Sequence, residues 1–345
     1  MKAARFLGPN RLEIVECPEP VCGRGEVILE VHRAGICGTD LRIYRGKKTV
    51  KPPVILGHEF SGTIVEVGPG LEGIAAGTRA TVEPIIPCGT CYCCRMGREN
   101  ICLTRPTIGY EYDGGFAEFV RIPAEAIRAG NLVPFPDSLD FDAACYAEPL
   151  AACINGIRKL ALRGTERVWV VGDGPIGLTH VQLVRADGVE EIFLTGTRDE
   201  RLEVGLGLGA RETFNVTQGG DPAGWIHERT GGEGVDIVIL AANVLKAVGE
   251  ALAGLRKGGQ ILLFAGYPTG TQWPFDLSAI HYREYQILGA SGHAARDIRQ
   301  AVDLMAGGRI DIRPLITHRL PLDRIHDGLE MKEKFVGLKH IIVLK

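Results

Sequence analysis

Residues 166–187 read ERVWVVGDGPIGLTHVQLVRAD, and this stretch decides the fold. It opens with an apolar run typical of a buried strand and continues into a segment with helical periodicity. Between the two lies GDGPIG, whose glycines have the spacing G-x-G-x-x-G. Such glycines permit a tight turn and let the backbone approach a pyrophosphate at a helix N-terminus, where N–H groups are unpaired. This setting predicts a dinucleotide-binding loop formed by Gly172, Gly174, Pro175, Ile176 and Gly177.

The chain on both sides of this loop continues the same alternation of strands and helices. Strands apolar on both faces that alternate with helices indicate a parallel sheet covered on both sides, an α/β architecture. We predict strands at 166–172, 191–195, 235–242, 259–266 and 284–291, with helices at 175–187, 199–208 and 244–255.

The first 145 or so residues have a different pattern. Short strands rich in β-branched residues are cut by Gly and Pro at 26–36, 62–71, 78–86 and 114–124, which is typical of a partly closed antiparallel barrel. The last strand, HIIVLK, follows a helix, and we expect this tail to rejoin the barrel. The predicted domains are therefore 1–148 with 293–345, carrying a cysteine lobe at 86–103, and 149–292.

The choice of cofactor depends on the end of the second parallel strand. An NAD-binding chain usually carries an acidic residue there, roughly 20 residues after the glycine loop. This chain has Gly196 and Thr197 instead, followed by Arg198 and Arg201. Two guanidinium groups suit a 2′-phosphate, so we favour NADP and keep NAD as the alternative.

Four cysteines, Cys88, Cys91, Cys94 and Cys102, have the spacing C-x2-C-x2-C-x7-C. Four thiolates saturate a tetrahedral zinc and leave no open position, so this site is predicted to be structural. Cys93 breaks the spacing and is interpreted as the spare thiol. A disulfide-bonded or simply buried cluster is the alternative, which the tight C-x2-C pairs disfavour.

A second set of possible metal ligands lies outside the cysteine lobe. Cys37 stands in GICGTD and His58 in GHE, and a thiolate with an imidazole is a zinc-type pair. A catalytic site needs one more ligand and an exchangeable position, and two carboxylates, Glu59 and Glu148, compete for that role.

Composition limits the other classes of function. With 345 residues, 45% of them hydrophobic, and a net charge of −3, the chain has room for two globular domains. Lys and Arg form no stripe, so we predict no nucleic-acid partner, and no apolar run is long enough for a membrane span. The absence of a signal region and the supply of reduced thiols predict a cytoplasmic location.

The motifs GICGTD, GHE, the cysteine quartet, EPLA and GDGPIG, in this order, resemble the zinc-dependent medium-chain dehydrogenases from the first strand to the last. The resemblance implies a GroES-like catalytic domain, a Rossmann domain, and two zinc ions per chain, one catalytic and one structural. The catalytic ligands it implies are Cys37 and His58, with Glu59 and water. Glu148 stands where alcohol dehydrogenases carry a cysteine, which is similar to polyol dehydrogenases such as sorbitol and xylitol dehydrogenase.

This resemblance implies hydride transfer between a nicotinamide cofactor and a secondary alcohol of a polyol, cyclitol or sugar. Arg42 stands where some relatives carry a proton-relay histidine, so the Thr39 hydroxyl is the predicted relay. An enzyme of the threonine 3-dehydrogenase type, or one for simple secondary alcohols, is the nearest alternative. A catalytically silent NADPH-binding scaffold is the alternative of another class. The resemblance also implies a homodimer or homotetramer.

Overall fold

The structure, a computed structural model, describes all residues from Met1 to Lys345. It divides into one unit of Met1–Ala151 with Gly292–Lys345 and a second unit of Ala152–Ser291. None of its helices combines the length and apolar character that a membrane crossing requires.

The N-terminal part of the first unit is built of short strands and shorter helices. The strands are β1 (Lys2–Gly8), β2 (Arg11–Glu16), β3 (Val27–Gly35), β4 (Val54–Ile55), β5 (Glu59–Val67), β6 (Arg79–Val82), β7 (Phe119–Ile122) and β8 (Leu132–Pro134). The helices are α1 (Gly38–Tyr44), α2 (Tyr92–Arg95), α3 (Ala124–Arg128), α4 (Phe141–Cys145) and α5 (Ala147–Ile157), which extends past the end of this part.

Strands and helices alternate through the second unit. The strands are β9 (Arg167–Val171), β10 (Glu191–Gly196), β11 (Glu212–Asn215), β12 (Val235–Leu240), β13 (Leu255–Leu263) and β14 (Gln286–Gly289). The helices are α6 (Pro175–Ala186), α7 (Asp199–Gly207), α8 (Pro222–Arg229), α9 (Leu245–Gly254) and α10 (Leu277–Arg283). The tail returns to the first unit with α11 (Ala295–Ala306), β15 (Ile316–Pro321), α12 (Ile325–Glu333) and β16 (Lys339–Val343).

The first unit contains a three-stranded sheet of order β2-β1-β4 and a larger sheet of order β15-β16-β3-β5-β6-β8, with β7 paired to β3. All pairings are antiparallel except that of β15 with β16. β16 pairs with β3, so the C-terminal strand completes a sheet begun near the N-terminus. The core between these sheets is aliphatic, with Phe6, Phe60 and Phe116 as its aromatic members.

The second unit is one parallel six-stranded sheet of order β11-β10-β9-β12-β13-β14. This is the doubly wound order 3-2-1-4-5-6, in which the direction of winding reverses between the first strand and the fourth. In such a sheet, ligands bind beyond the carboxyl ends of the strands at that reversal. Here the reversal lies between β9 and β12, and the glycine loop follows β9 directly. The predicted α/β fold class is confirmed.

The predicted elements of this unit differ from the structure in several places, one of which is helix α10 (Leu277–Arg283), which was not predicted. One strand–helix unit, β11 with α8, was not predicted, because β11 is short, has one large apolar side chain and is only partly buried at the edge of the sheet. β13 begins at Leu255 rather than at residue 259, so the glycines at 258 and 259 lie inside the strand.

Candidate active site and metal centres

The four cysteines of the lobe come together in one cluster. Their sulfur atoms all lie within 4.8 Å of one another, and Cys91 Sγ lies 3.5 Å from Cys94 Sγ and 3.8 Å from Cys102 Sγ. Four sulfurs around a zinc at Zn–S distances of about 2.3 Å are separated by about 3.8 Å. All ten cysteines are free thiols, and Cys93 is buried outside the quartet. The geometry of the quartet therefore fits a tetrahedral zinc.

Local backbone groups prepare the quartet for a cation. Hydrogen bonds from the N–H groups of Thr90 and Cys91 lower the pKa of Cys88 to about 5. Burial and hydrogen bonds with neighbouring sulfurs raise the pKa of Cys94 to about 12. Four sulfurs at these distances become anionic together only when a cation lies among them, because like charges in contact disfavour ionisation.

The second candidate site arises from strand pairing. β3 and β5 pair antiparallel, with Gly35 opposite Glu59, so Cys37 lies just beyond the end of β3, next to the start of β5. One ligand atom from each of Cys37, His58 and Glu59 lies within 4.8 Å of the others. His58 and Glu59 are buried and Cys37 is partly buried. One thiolate, one imidazole and one carboxylate form a donor set that fits a catalytic zinc with an open position.

Asp40 and Tyr110 orient the imidazole of His58. Asp40 is buried in the first turn of α1, where its Oδ2 accepts a hydrogen bond of 2.8 Å from the N–H of Cys37. Its Oδ1 lies 3.4 Å from His58 Nδ1, and the Tyr110 hydroxyl lies 3.3 Å from the same nitrogen. With Nδ1 occupied, His58 Nε2 is the nitrogen left for a metal, and it lies 4.0 Å from Glu148 Oε1.

Glu59 has a cationic partner inside the protein. Its carboxylate forms a buried ion pair with Lys339, the first residue of β16, whose Nζ also lies 3.4 Å from the Ile36 carbonyl oxygen. Burial alone would lower the pKa of Lys339, but the charge of Glu59 outweighs it and raises that pKa. Lys339 therefore gives the buried Glu59 side chain a partner of opposite charge that belongs to the protein itself.

Glu148 has a different partner. His293 Nε2 donates to Glu148 Oε1 over 2.9 Å, and the opposite ring nitrogen of His293 donates to Glu83. Burial opposes the charge on Glu148, yet the imidazolium of His293 lowers the pKa of Glu148 to about 2. The two carboxylates likewise raise the pKa of His293 against the effect of burial. The three side chains form a carboxylate–imidazolium–carboxylate row, in which Glu83 and His293 are buried and Glu148 is partly buried.

Sequence reasoning identified the residues with metal-binding chemistry but not those that hold them in place. Glu83, His293 and Lys339 come from distant segments, and no spacing rule connects them with Glu59 or Glu148. Asp40 could have been found, because it follows Cys37 at the N-cap to N3 spacing of a capping box. Thr39, the predicted relay, is partly buried in the first turn of α1, next to Cys37 and Gly38 in the chain.

Each of the three glycines in the dinucleotide loop has a different steric role. Gly172 has φ +121°, a conformation that residues with a side chain rarely adopt. A Cβ at Gly177 would lie 1.8 Å from the carbonyl oxygen of Gly172, so only glycine allows the helix to approach the strand. A Cβ at Gly174, the N-cap of α6, would meet no atom within 4 Å and would project into open space. The loop therefore fits a pyrophosphate that approaches the backbone at Gly174.

The end of β10 lacks a carboxylate for a ribose hydroxyl. A side chain at Gly196 would collide with Asp173, whose Oδ2 accepts hydrogen bonds from the N–H groups of Thr197 (2.7 Å) and Arg198 (2.9 Å). Arg201 is buried, and Arg198 is about one third exposed, with its Nη1 4.0 Å from Glu200. Gly196 is thus the last residue of β10, and Thr197, Arg198 and Arg201 lie in the loop and first helical turn that follow it.

Comparison with known proteins gives the same picture. Residues 23–137 match the alcohol dehydrogenase GroES-like domain, and residues 175–307 match the zinc-binding dehydrogenase domain. L-threonine 3-dehydrogenase of Pyrococcus horikoshii is 31% identical over 96% of this chain and 95% of its own length. The 2-dehydro-3-deoxy-L-galactonate 5-dehydrogenase of Pseudoalteromonas atlantica is 31% identical over 93% and 92%. Sorbitol dehydrogenase of Bacillus subtilis is 30% identical over 97% and 94%.

Two solved structures extend the comparison to the fold. A zinc-binding dehydrogenase from Sinorhizobium meliloti bound to NADP has a TM-score of 0.94 and 31% identity, covering 99% of both chains. The alcohol dehydrogenase RspB from E. coli CFT073, complexed with NADH, has a TM-score of 0.91 and 30% identity, covering 100% of this chain and 99% of RspB. These matches to named enzymes remove the basis for a catalytically silent scaffold. The chain belongs to the zinc-dependent medium-chain dehydrogenase family and is an alcohol dehydrogenase with a GroES-like domain and a Rossmann domain.

Proposed function

We propose that this enzyme transfers a hydride between a secondary alcohol of a polyol, cyclitol or sugar and a nicotinamide cofactor, with NADP favoured over NAD. It would hold two zinc ions. Cys37 and His58 bind the catalytic ion together with Glu59 or Glu148, and the quartet of Cys88, Cys91, Cys94 and Cys102 binds the structural ion. The observation that carries the proposal is the cluster of Cys37, His58 and Glu59, with Glu148 beside it, separate from a closed all-sulfur site.

Cys37 and His58 would hold a zinc ion, which would supply the Lewis acidity that makes the proton of an alcohol hydroxyl easier to remove. A bound nicotinamide cofactor would supply the hydride acceptor. The residues of the chain hold and move protons around this chemistry. Asp40 and Tyr110 fix the ring of His58, and His293 keeps Glu148 ionised and in place. Thr39 is proposed to pass the hydroxyl proton towards solvent.

The preference for NADP rests on the end of β10. No carboxylate projects from Gly196, because the space is taken by Asp173, whose carboxylate is engaged by the backbone of Thr197 and Arg198. Arg198 and Arg201 supply the guanidinium groups that a 2′-phosphate would pair with. The similar structures were solved one with NADP and one with NADH, so both cofactors occur on this fold.

A threonine 3-dehydrogenase is the second candidate, because a protein of that name covers almost the whole chain at 31% identity. Of the three relatives, the threonine and galactonate enzymes are named for substrates that carry a carboxylate, and the sorbitol enzyme for a neutral one. The relatives therefore support the reaction without choosing among these substrates.

A substrate screen tests the proposal. The zinc-loaded enzyme is assayed against polyols, cyclitols, aldoses, L-threonine and simple secondary alcohols, each with NADP+ and NAD+. We expect the highest kcat/KM for a polyhydroxylated substrate with NADP+, and about two zinc ions per chain by metal analysis. A higher kcat/KM for threonine, or a clear preference for NAD+, would contradict the corresponding part of the proposal.

We also propose that the enzyme is a homodimer or homotetramer. β14 is the last strand of the parallel sheet and has an unpaired edge, which invites pairing with a second copy. Leu277 and Tyr282 of the preceding helix α10 are exposed apolar side chains near it in the chain. Light scattering of the eluted enzyme measures the mass directly, and a monomer would contradict the proposal.

A further inference from the structure

Lys48 lies one side chain away from the proposed metal ligands. Its Nζ lies 3.6 Å from the centre of the Tyr110 ring, and the Tyr110 hydroxyl lies 3.3 Å from His58 Nδ1. The backbone fixes this position, because the N–H groups of Lys47 and Lys48 both donate to the Arg42 carbonyl oxygen at the end of α1, over 2.7 and 3.1 Å. Lys48 is therefore an ammonium group held near the place where the alcohol must bind.

The Lys48 ammonium forms no ion pair with a carboxylate. Lys48 is partly buried and takes part in no ion pair, and burial lowers its pKa. The groups whose negative charge reaches Lys48 are Cys37, Asp40 and Glu111, and each is engaged elsewhere, Cys37 as a proposed zinc ligand. Asp40 binds the N–H of Cys37 and faces His58, and Glu111 accepts from the N–H of Thr107 over 2.8 Å. A cation–π contact compensates only part of the loss of water around an ammonium, so an anion would be bound favourably here.

A second positive charge, that of Arg105, lies near Lys48. Arg105 is close enough to Lys48 for its charge to disfavour the ammonium, and one of its nitrogens donates to the Asn100 carbonyl oxygen over 2.7 Å. Exposed residues of one sign around a partly buried charge attract ions of the other sign. The surroundings of Lys48 thus favour an anionic group over a neutral hydroxyl.

We propose that Lys48 binds an anionic substituent, a carboxylate or a phosphate, on the alcohol that the enzyme oxidises. The substrate is then an acidic sugar or a related hydroxy acid or phosphate ester rather than a neutral polyol. The inference rests on the proposed function and narrows its substrate class. The Tyr110 side chain contacts Lys48 through the face of its ring and His58 through its hydroxyl. The anionic group and the reacting carbon therefore belong to one small molecule.

The test compares matched substrates that differ in one group. Sorbitol, galactitol and mannitol are assayed with the zinc-loaded enzyme beside the matching aldonates and the matching hexitol phosphates. We expect an anionic member to have the higher kcat/KM. Lys48→Met should lower kcat/KM for that substrate by about 10- to 100-fold, the value of one hydrogen bond to a charged group. Its effect on the neutral hexitol should be at least about tenfold smaller.

Two variants control for structure and for general charge. Lys48→Arg keeps the cation and should retain most of the preference, and Lys47→Met, at the exposed neighbouring position, should leave the kinetics unchanged. The aldonate and phosphate arms tell a carboxylate site from a phosphate site. The inference is overturned if neutral hexitols are preferred, or if Lys48→Met lowers kcat/KM equally for charged and neutral substrates.

A binding measurement separates this inference from the proposed function. Gluconate, galactonate and mannonate are titrated calorimetrically into the zinc-loaded enzyme with NADP+ present. If no alcohol is oxidised, the proposed function fails, but binding of an aldonate that Lys48→Met abolishes would still support the anion site. If neither aldonates nor hexitol phosphates bind more tightly than sorbitol, the anion site itself is wrong.

Discussion

The two candidate metal sites of this enzyme are built in opposite ways. The cysteine quartet takes all its ligands from residues 88–102, and the groups that tune them are backbone N–H groups of the same loop. The candidate ligands of the Cys37 site come from separate segments. They are held by Asp40, Tyr110 and Lys339 and, through Glu148, by His293. A site formed by one loop can be predicted from the spacing of its residues in the sequence. A site with an open position needs support from residues throughout the unit.

The strongest test of this contrast removes one sulfur from each region. Cys37→Ala should lower kcat by about 10³-fold or more, because the Lewis acid contributes several kcal/mol to the barrier. Cys91→Ala, the matched control, should lose the other zinc and lower the thermal stability, while the folded fraction keeps most of its kcat. Metal analysis, cofactor binding and steady-state kinetics on both variants check this. Substantial activity of Cys37→Ala with cofactor still bound would mean that the catalytic metal lies elsewhere.

The part of the molecule that could be predicted from the sequence follows the same division. The quartet and the glycine loop depend on residues close together in the chain, where each spacing has one steric or coordinative meaning. The Glu59–Lys339 and Glu83–His293 contacts join residues more than 200 positions apart, so only the fold brings them together. β11 was not predicted for a related reason. A partly buried edge strand does not need a run of apolar residues, so its sequence gives no clear strand signal.

The next test breaks the buried ion pair that belongs only to the Cys37 site. Lys339→Met should destabilise the metal-free protein by about 3–5 kcal/mol, because it leaves the Glu59 carboxylate buried without a partner. Lys334→Met is the control, because its pair with Glu330 is exposed and screened by solvent and should contribute little to stability. Denaturant unfolding of both variants measures the difference.

The same variant helps to decide between the two candidate third ligands. If Glu59 binds zinc, the metal replaces the missing ammonium, and adding zinc should recover most of the lost stability of Lys339→Met. If Glu148 is the ligand, the destabilisation should persist in the zinc-loaded protein. A Lys339→Met protein as stable as the parent without metal would show that the ion pair is not needed to keep Glu59 buried.

A smaller effect is expected from the imidazole that holds Glu148. His293→Leu should lower activity or zinc affinity by about 10- to 100-fold, the usual loss for a group that orients a metal site from outside. His293→Gln, which still donates a hydrogen bond, should lose less, and His281→Gln on the exposed face of α10 serves as the control. A structural role alone would lower stability equally in both variants at position 293 without changing kcat. Kinetics and zinc titration of the folded proteins separate these outcomes.

The smallest expected effect concerns the thiolate of Cys88 in the cysteine quartet. In the metal-free protein, the N–H groups of Thr90 and Cys91 lower the pKa of Cys88 to about 5, so its thiolate is stabilised relative to an unfolded thiol. A lowered pKa contributes stability to the lobe that is complete above the ordinary thiol value and is lost as the pH falls through about 5.

Alkylation of Cys88 with iodoacetamide after chelation should therefore remain fast down to about pH 5. Thr90→Val removes only the hydroxyl donor, 3.7 Å from the sulfur, and keeps the backbone donors, so the midpoint should rise slightly. A midpoint near the ordinary thiol value in the parent protein would show that the loop does not prepare its sulfur, and the contrast between a locally tuned and a remotely supported metal site would lose its basis.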